Sequence, residues 1–111
     1  MTTFDLLGLS PYLLRAVAAQ NYTAPSPVQC LSIPEVLAGH DVAAEAQTGS
    51  GKTAAFALPL LEFIDLEQKS TQALILSPTR ELGQQIAEQI KLFAKYHPRI
   101  NTLAVYGGAS I

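Results

Sequence analysis

Apolar residues along this chain fall into two arrangements, helical spacing and short unbroken runs. Ser10-Pro11 places a capping hydroxyl before a proline suited to a first helical position. Leu13, Leu14 and Val17 then supply an apolar helix face, and Asn21 can end it. Ser26-Pro27 repeats the start signal, but Pro34 interrupts the pattern. Two short helices are therefore expected, meeting near Ser32-Ile33 and stopping at Gly39. Val42-Ala43-Ala44 reads as a first strand, and a helix is predicted over 52–64, kinked or shortened by Pro59. Ala73-Leu74-Ile75-Leu76 is an unbroken apolar run, as in a strand buried on both faces of a parallel sheet. Pro78-Thr79 turns the chain into a helix over 80–95, with Leu82, Ile86, Ile90 and Phe93 on one side and Gln85, Glu88, Gln89 and Lys95 elsewhere. Thr102-Leu103-Ala104-Val105-Tyr106 reads as a third strand, closed by Gly107-Gly108, and residues 67–71 as a surface loop. Helices first, then strand–helix–strand–helix–strand, predict an α/β fold with a parallel sheet and flanking helices. The chain divides into a helical segment, 1–39, and an α/β segment, 40–111.

A hydrophobic fraction of 49% is enough for a core, and a charged fraction of 14% argues against a disordered chain. The formal net charge of −2 excludes a domain that grips nucleic acid by a broadly basic surface. Any contact with RNA or DNA must use backbone N–H groups, helix ends and a few basic residues. Cys30 is the sole cysteine, so no internal disulfide and no cysteine zinc cluster is expected, and it reads as a small buried apolar side chain. The N-terminus lacks a signal-peptide pattern, and the densest apolar run, 54–61, is too short to span a bilayer. A cytoplasmic protein with no membrane partner is expected. His40 and His97 read as surface loop residues.

The segment Ala46-Gln47-Thr48-Gly49-Ser50-Gly51-Lys52-Thr53 lies between the first predicted strand and the following helix. Small residues let backbone N–H groups curl round an anion. Lys52 can reach the outer phosphates, and the Thr53 hydroxyl can hold a magnesium ion. The helix N-terminus adds partial positive charge. The generic pattern has glycine where this chain has Ala46. A bound nucleoside triphosphate with Mg2+ is the expectation. Gln29 is either an exposed helix residue or a base reader. Its amide could pair with the N6 and N7 edge of adenine, a contact that contributes roughly 1–3 kcal/mol of discrimination.

Tyr22-Thr23-Ala24-Pro25-Ser26-Pro27-Val28-Gln29 resembles the Q motif of DEAD-box RNA helicases. Residues 46–53 are similar to their motif I, Ser77-Pro78-Thr79-Arg80-Glu81-Leu82 to motif Ia, and Gly107-Gly108 to their GG motif. The four occur in the family's order and rough spacing, across nearly the whole chain. The opening Phe4-Asp5-Leu6-Leu7-Gly8-Leu9-Ser10 most resembles bacterial members, the RhlE-like branch among them. The resemblance implies part of a RecA-like phosphate-loop domain that binds ATP. Gln29 would read adenine, Tyr22 would stack near the base where the family usually has phenylalanine, and Phe4 would support that pocket. Lys52 and Thr53 would act on the phosphates and magnesium. Pro78, Thr79, Arg80, Glu81, Gly107 and Gly108 would contact the RNA backbone without reading sequence. Asn21 stands where the family commonly has glycine, and asparagine tolerates the left-handed backbone.

Phosphoryl transfer also needs a carboxylate to hold magnesium and an acidic group to place the attacking water. The family's Asp-Glu-Ala-Asp motif supplies both. The aspartates here are Asp5, Asp41 and Asp65, none at the end of a predicted strand. The expectation is therefore a helicase sequence truncated before that strand, marginally stable and inefficient alone. The alternatives are a non-catalytic nucleotide- or RNA-binding remnant, or another phosphate-loop enzyme such as a kinase. The company of Gln29 and residues 78–82 argues against the kinase.

Overall fold

Among the described residues, four helices enclose one apolar core, each contributing a large side chain to it. The computed structural model describes residues 3–45, 51–65, 67–68, 70–97, 100, 102 and 105. After a single 3-10 turn at Phe4–Leu6 come α1 (Pro11–Ala19), α2 (Pro27–Leu37), α3 (Lys52–Glu62) and α4 (Arg80–Phe93). Leu13 of α1, Ile33 of α2, Leu58 of α3 and Phe93 of α4 are fully buried. Helix α2 packs chiefly on α3, while α4 contacts both α3 and α1.

The helix ends follow the residues that the pattern singled out. Asn21 takes φ 63°, with Asn21 N–H donating to Ala18 O and Tyr22 N–H to Val17 O. These two bonds satisfy the last carbonyls of α1 with asparagine in the usual glycine place. Gly39, at φ 89°, closes α2 in the same way, through Gly39 N–H to Val36 O and His40 N–H to Glu35 O.

Pro34 does not divide the second helix. Helix α2 runs unbroken from Pro27 to Leu37 with Pro34 inside it. The proline faces solvent, while its neighbours Ile33 and Ser32 are buried. Burial of a side chain like Ile33 contributes roughly 1.5–3 kcal/mol, comparable to the roughly 3 kcal/mol that an interior proline costs. In α3, Pro59 is buried, and the helix ends one turn later on Phe63 N–H to Leu60 O and Ile64 N–H to Leu61 O, the tighter i to i−3 pattern.

The expected sheet is not found among the described residues, which contain no strand. Residues 41–45 are all exposed. In the run 73–76, Leu74 and Leu76 are 79% and 85% exposed, and only Ile75 packs against the core. The expectation of burial on both faces is therefore corrected. A strand exists through hydrogen bonds to a neighbour, and no described segment pairs with this one, so one face alone is covered. The third predicted strand lies almost wholly outside the described residues.

Candidate nucleotide and RNA site

Gln29 and Gly51 lie 22 residues apart, and the fold brings them into contact. Gln29 is the third residue of α2 and only 4% exposed, which excludes the exposed-residue reading. Its Oε1 accepts from Ser26 N–H at 2.9 Å, the glutamine arm of a capping box. Its Nε2 donates to Gly51 O at 3.2 Å. The same Gly51 carbonyl accepts from Ala55 N–H at 3.2 Å, so both its lone pairs are engaged. Gln29 keeps one acceptor position and one N–H, which is what the N6 and N7 edge of adenine requires.

Gly51 is the N-cap of α3 and has φ 86°. A Cβ there would collide with Gln29 Nε2 and come within 3.3 Å of Ser26 Oγ. Glycine thus serves both the left-handed turn and the close approach. Among the described residues, no side chain caps the first turn of α3, and its leading N–H groups suit an anion. Lys52 is exposed at the first helical position, and Thr53, half-buried, follows. An open helix start, a flanking ammonium and a hydroxyl fit the outer phosphates of a nucleotide, with Thr53 as the one described protein oxygen suited to the accompanying magnesium. Ala46, Gln47, Thr48, Gly49 and Ser50 lie outside the described residues.

Ser26 is a site residue that the motif reading passed over. Its Oγ is buried against Gly51 with no hydrogen-bond partner among the described residues. The Ser-x-x-Gln spacing was the available signal, and it points to a helix cap rather than to the loop.

Phe4 is 7% exposed, and its ring stacks on Tyr22 with centroids 6.2 Å apart and planes 21° apart. Tyr22, half-buried, also meets Phe93 at 6.1 Å. The Phe4–Tyr22 partnership is therefore present and anchored in the core.

The residues expected at RNA form the exposed start of α4. Thr79 Oγ1 accepts from Leu82 N–H at 3.1 Å, and Ser77 Oγ donates to Thr79 O at 3.1 Å. Pro78, Thr79, Arg80 and Glu81 are all exposed. The Thr79 hydroxyl satisfies one of the N–H groups of the first turn, and the helix start carries the partial positive charge that suits a phosphate. Glu81 places a negative charge in that turn and competes with such a ligand. Gly107 and Gly108 lie outside the described residues.

His40 is exposed and pairs with Glu35 at 2.8 Å, as suits a surface loop. His97 is different. It is half-buried, its Nδ1 is enclosed without a partner among the described residues, and its ring meets the Tyr12 ring edge-on at 5.0 Å. Tyr12 reaches across from α1 and draws the histidine inward. Cys30 is half-buried, with Sγ 3.8 Å from Pro25 O.

The family model described as "DEAD/DEAH box helicase" matches residues 26–111. The chain belongs to the DEAD/DEAH box helicase family. It is 51% identical over 107 residues to the ATP-dependent RNA helicase DeaD of Escherichia coli K12, covering 96% of this chain and 17% of that protein. It is 45% identical over 111 residues to the DEAD-box ATP-dependent RNA helicase CshA of Bacillus cereus, covering 100% of this chain and 21% of the relative. Among solved structures, the RNA helicase Prp28 from Chaetomium thermophilum bound to ADP matches with a TM-score of 0.88 and 42% identity, over 99% of this chain and 28% of that one. Dbp5 of S. cerevisiae, bound to RNA and ADP BeF3, matches with a TM-score of 0.79 and 38% identity, over 86% of this chain and 25% of that one. The chain thus spans about a fifth of the length of the curated DEAD-box relatives. These structural neighbours are RecA-like domains of DEAD-box helicases.

Proposed function

We propose that this chain forms the ATP-entry part of an RNA helicase that couples ATP hydrolysis to RNA duplex opening. The hydrogen bond from Gln29 Nε2 to Gly51 O carries the reading, because it joins a base-reading amide to the start of the phosphate-binding helix. Gln29 reads adenine with its remaining donor and acceptor, and Tyr22, backed by Phe4, lies beside the base. The α3 N-terminus and Lys52 hold the β- and γ-phosphates, with residues 46–50 completing the loop. Thr53 holds the magnesium ion, which supplies charge neutralisation on the transferring phosphate. A nucleic-acid strand passes the start of α4, where Pro78, Thr79, Arg80 and Glu81 meet its backbone, and Gly107-Gly108 adds a second backbone contact. Such contacts position a strand without reading its sequence. The DeaD and CshA relatives are named as ATP-dependent RNA helicases, and Dbp5 is solved with RNA and ADP BeF3, which supports this pairing of ligands.

We place the working protein in the cytoplasm, with its helices beside a parallel sheet that includes residues 42–44 and 73–76. Among the described residues, no helix is long and apolar enough to cross a membrane. The 111-residue chain binds ATP but turns it over slowly, since none of Asp5, Asp41 and Asp65 follows a predicted strand, where water activation and metal binding call for a carboxylate. Asp65, for one, is exposed and accepts from Glu67 N–H. Calorimetric titration of the chain with ATP and GTP, each with magnesium, tests the reading. ATP should bind at least several-fold tighter, and Gln29→Ala should erase the difference. Equal affinities in the wild type would remove Gln29 from base recognition.

A further inference from the structure

The charge of this chain is unevenly spread. Residues 89–111 contain Lys91, Lys95 and Arg99 and no acidic residue, while all nine acidic residues lie in 1–88. Within that basic segment, the turn after α4 meets α1. The Arg15 guanidinium carbon lies 4.2 Å from the centroid of the Tyr96 ring, and Lys95 Nζ lies 5.7 Å from the same centroid. Arg15 and Lys95 are exposed, Tyr96 is half-buried, and neither cation is paired with a carboxylate among the described residues. Two positive charges converging on one ring repel each other, and the ring quadrupole offsets that only in part. A bound anion would relieve the repulsion.

The stacking also prepares Arg15 for such a ligand. A guanidinium lying over an aromatic face keeps its N–H donors in its own plane, where they suit the bidentate geometry of a phosphate. A tyrosine ring with flanking cations is a combination that holds single-stranded nucleic acid without reading sequence. The geometry points to Arg15, Lys95 and Tyr96 as a second contact for the RNA backbone. It sits at the opposite end of α4 from Thr79 and Arg80, about 21 Å away along a 14-residue helix. The inference rests on the RNA-binding reading above. It adds that a strand engaged at the start of α4 is also held at its far end.

The test is fluorescence anisotropy of the chain with a labelled oligouridylate RNA at several salt concentrations. The variants are Arg15→Gln with Lys95→Gln, and Arg80→Gln as a separate arm. The double variant should bind several-fold more weakly, with a log–log salt slope reduced by about 1.4, since each lost phosphate contact on a single strand removes about 0.7. Where the double variant loses helical circular dichroism, Lys95→Glu alone serves, because Lys95 lies beyond α4 and is exposed. An unchanged slope in a folded variant, with binding still weakened by Arg80→Gln, overturns this patch and leaves the RNA reading standing. Wild-type chain that ignores the RNA defeats both. A labelled polyglutamate peptide bound through Arg15 and Lys95 in preference to RNA would assign the patch to an acidic protein and overturn the proposal.

Discussion

Gln29 divides its hydrogen-bonding capacity between the fold and the proposed ligand, so its conservative variants should separate the two. Gln29→Glu keeps an oxygen for Ser26 N–H but turns an acceptor toward Gly51 O in place of the donor. Helix α2 should survive, while the tether to α3 and the preference for ATP over GTP are lost. Circular dichroism together with the paired nucleotide titrations checks this. Retained ATP preference in the Glu variant would mean that the donor at Nε2 is not needed. Gly51→Ala should be the harsher change. It strains a left-handed residue by roughly 1–2 kcal/mol and drives a Cβ into Gln29 Nε2. Triphosphate binding should fall below detection, with a lower melting temperature. At this scale the sequence was informative about residue type but not about contact. Ser-x-x-Gln announces a cap, and Gly-Lys-Thr announces a phosphate site. Nothing local in either stretch says that one amide serves both, because the link is made by α2 packing on α3.

Among elements, helix ends were the most legible, because each rests on a few neighbouring residues. Asn21, Gly39 and Thr79 act where the pattern put them, whereas Ser10 takes the N-cap position of α1 with its hydroxyl buried and making no cap bond among the described residues. Pro34 misled because its local cost is set against burial of Ile33, which only the tertiary structure reveals. Thr79→Ala should remove the bond to Leu82 N–H and destabilise the protein by about 1 kcal/mol in urea titration, whereas Thr79→Ser should not. Equal stability of the alanine variant would show that water replaces the hydroxyl. The junction of α1 and α3 offers a pH test. Tyr12 donates to Leu61 O at 3.3 Å, and burial, with Glu62 adding to it, raises its pKa above 10.0. Glu62 itself accepts from Ser10 N–H at the start of α1. Below pH 10 both folded and unfolded chains keep the phenol proton. Above it the unfolded chain releases the proton first, so stability falls as pH rises toward the folded pKa. Denaturant midpoints at pH 9 and 11 should therefore converge for Tyr12→Phe relative to wild type. An equal drop in both proteins would mean that Tyr12 contributes nothing to alkaline sensitivity.

At the scale of the whole molecule, the core formed by the described helices leaves apolar surface uncovered. Leu74 and Leu76 are mostly exposed, Phe63 is 56% exposed, and an open groove with an apolar wall of Val36, Phe56, Leu60, Phe63 and Ile64 and a polar one of Gln68, Ser70, Thr71 and Gln72 adjoins them. Helices were readable because their hydrogen bonds close within one segment, whereas the run 73–76 is apolar on both faces and needs neighbours on either edge to become a strand. Its composition described a setting that the described residues supply on one side alone. The two leucines can tell these situations apart. In the 111-residue chain, Leu74→Ser with Leu76→Ser should change unfolding free energy by no more than about 0.5 kcal/mol per site and reduce self-association in sedimentation velocity, since exposed apolar patches promote it. Leu58→Ala, by contrast, removes a fully buried side chain and should cost roughly 2–5 kcal/mol. Placed in a full-length DEAD-box relative, the same leucine pair should cost as much as Leu58→Ala if the proposed sheet covers both faces of the run. A small effect in both settings would refute the sheet at residues 73–76. A large effect in the 111-residue chain would mean that the run is already covered in solution, by a second copy or by a pairing within the chain, and sedimentation at two concentrations distinguishes these.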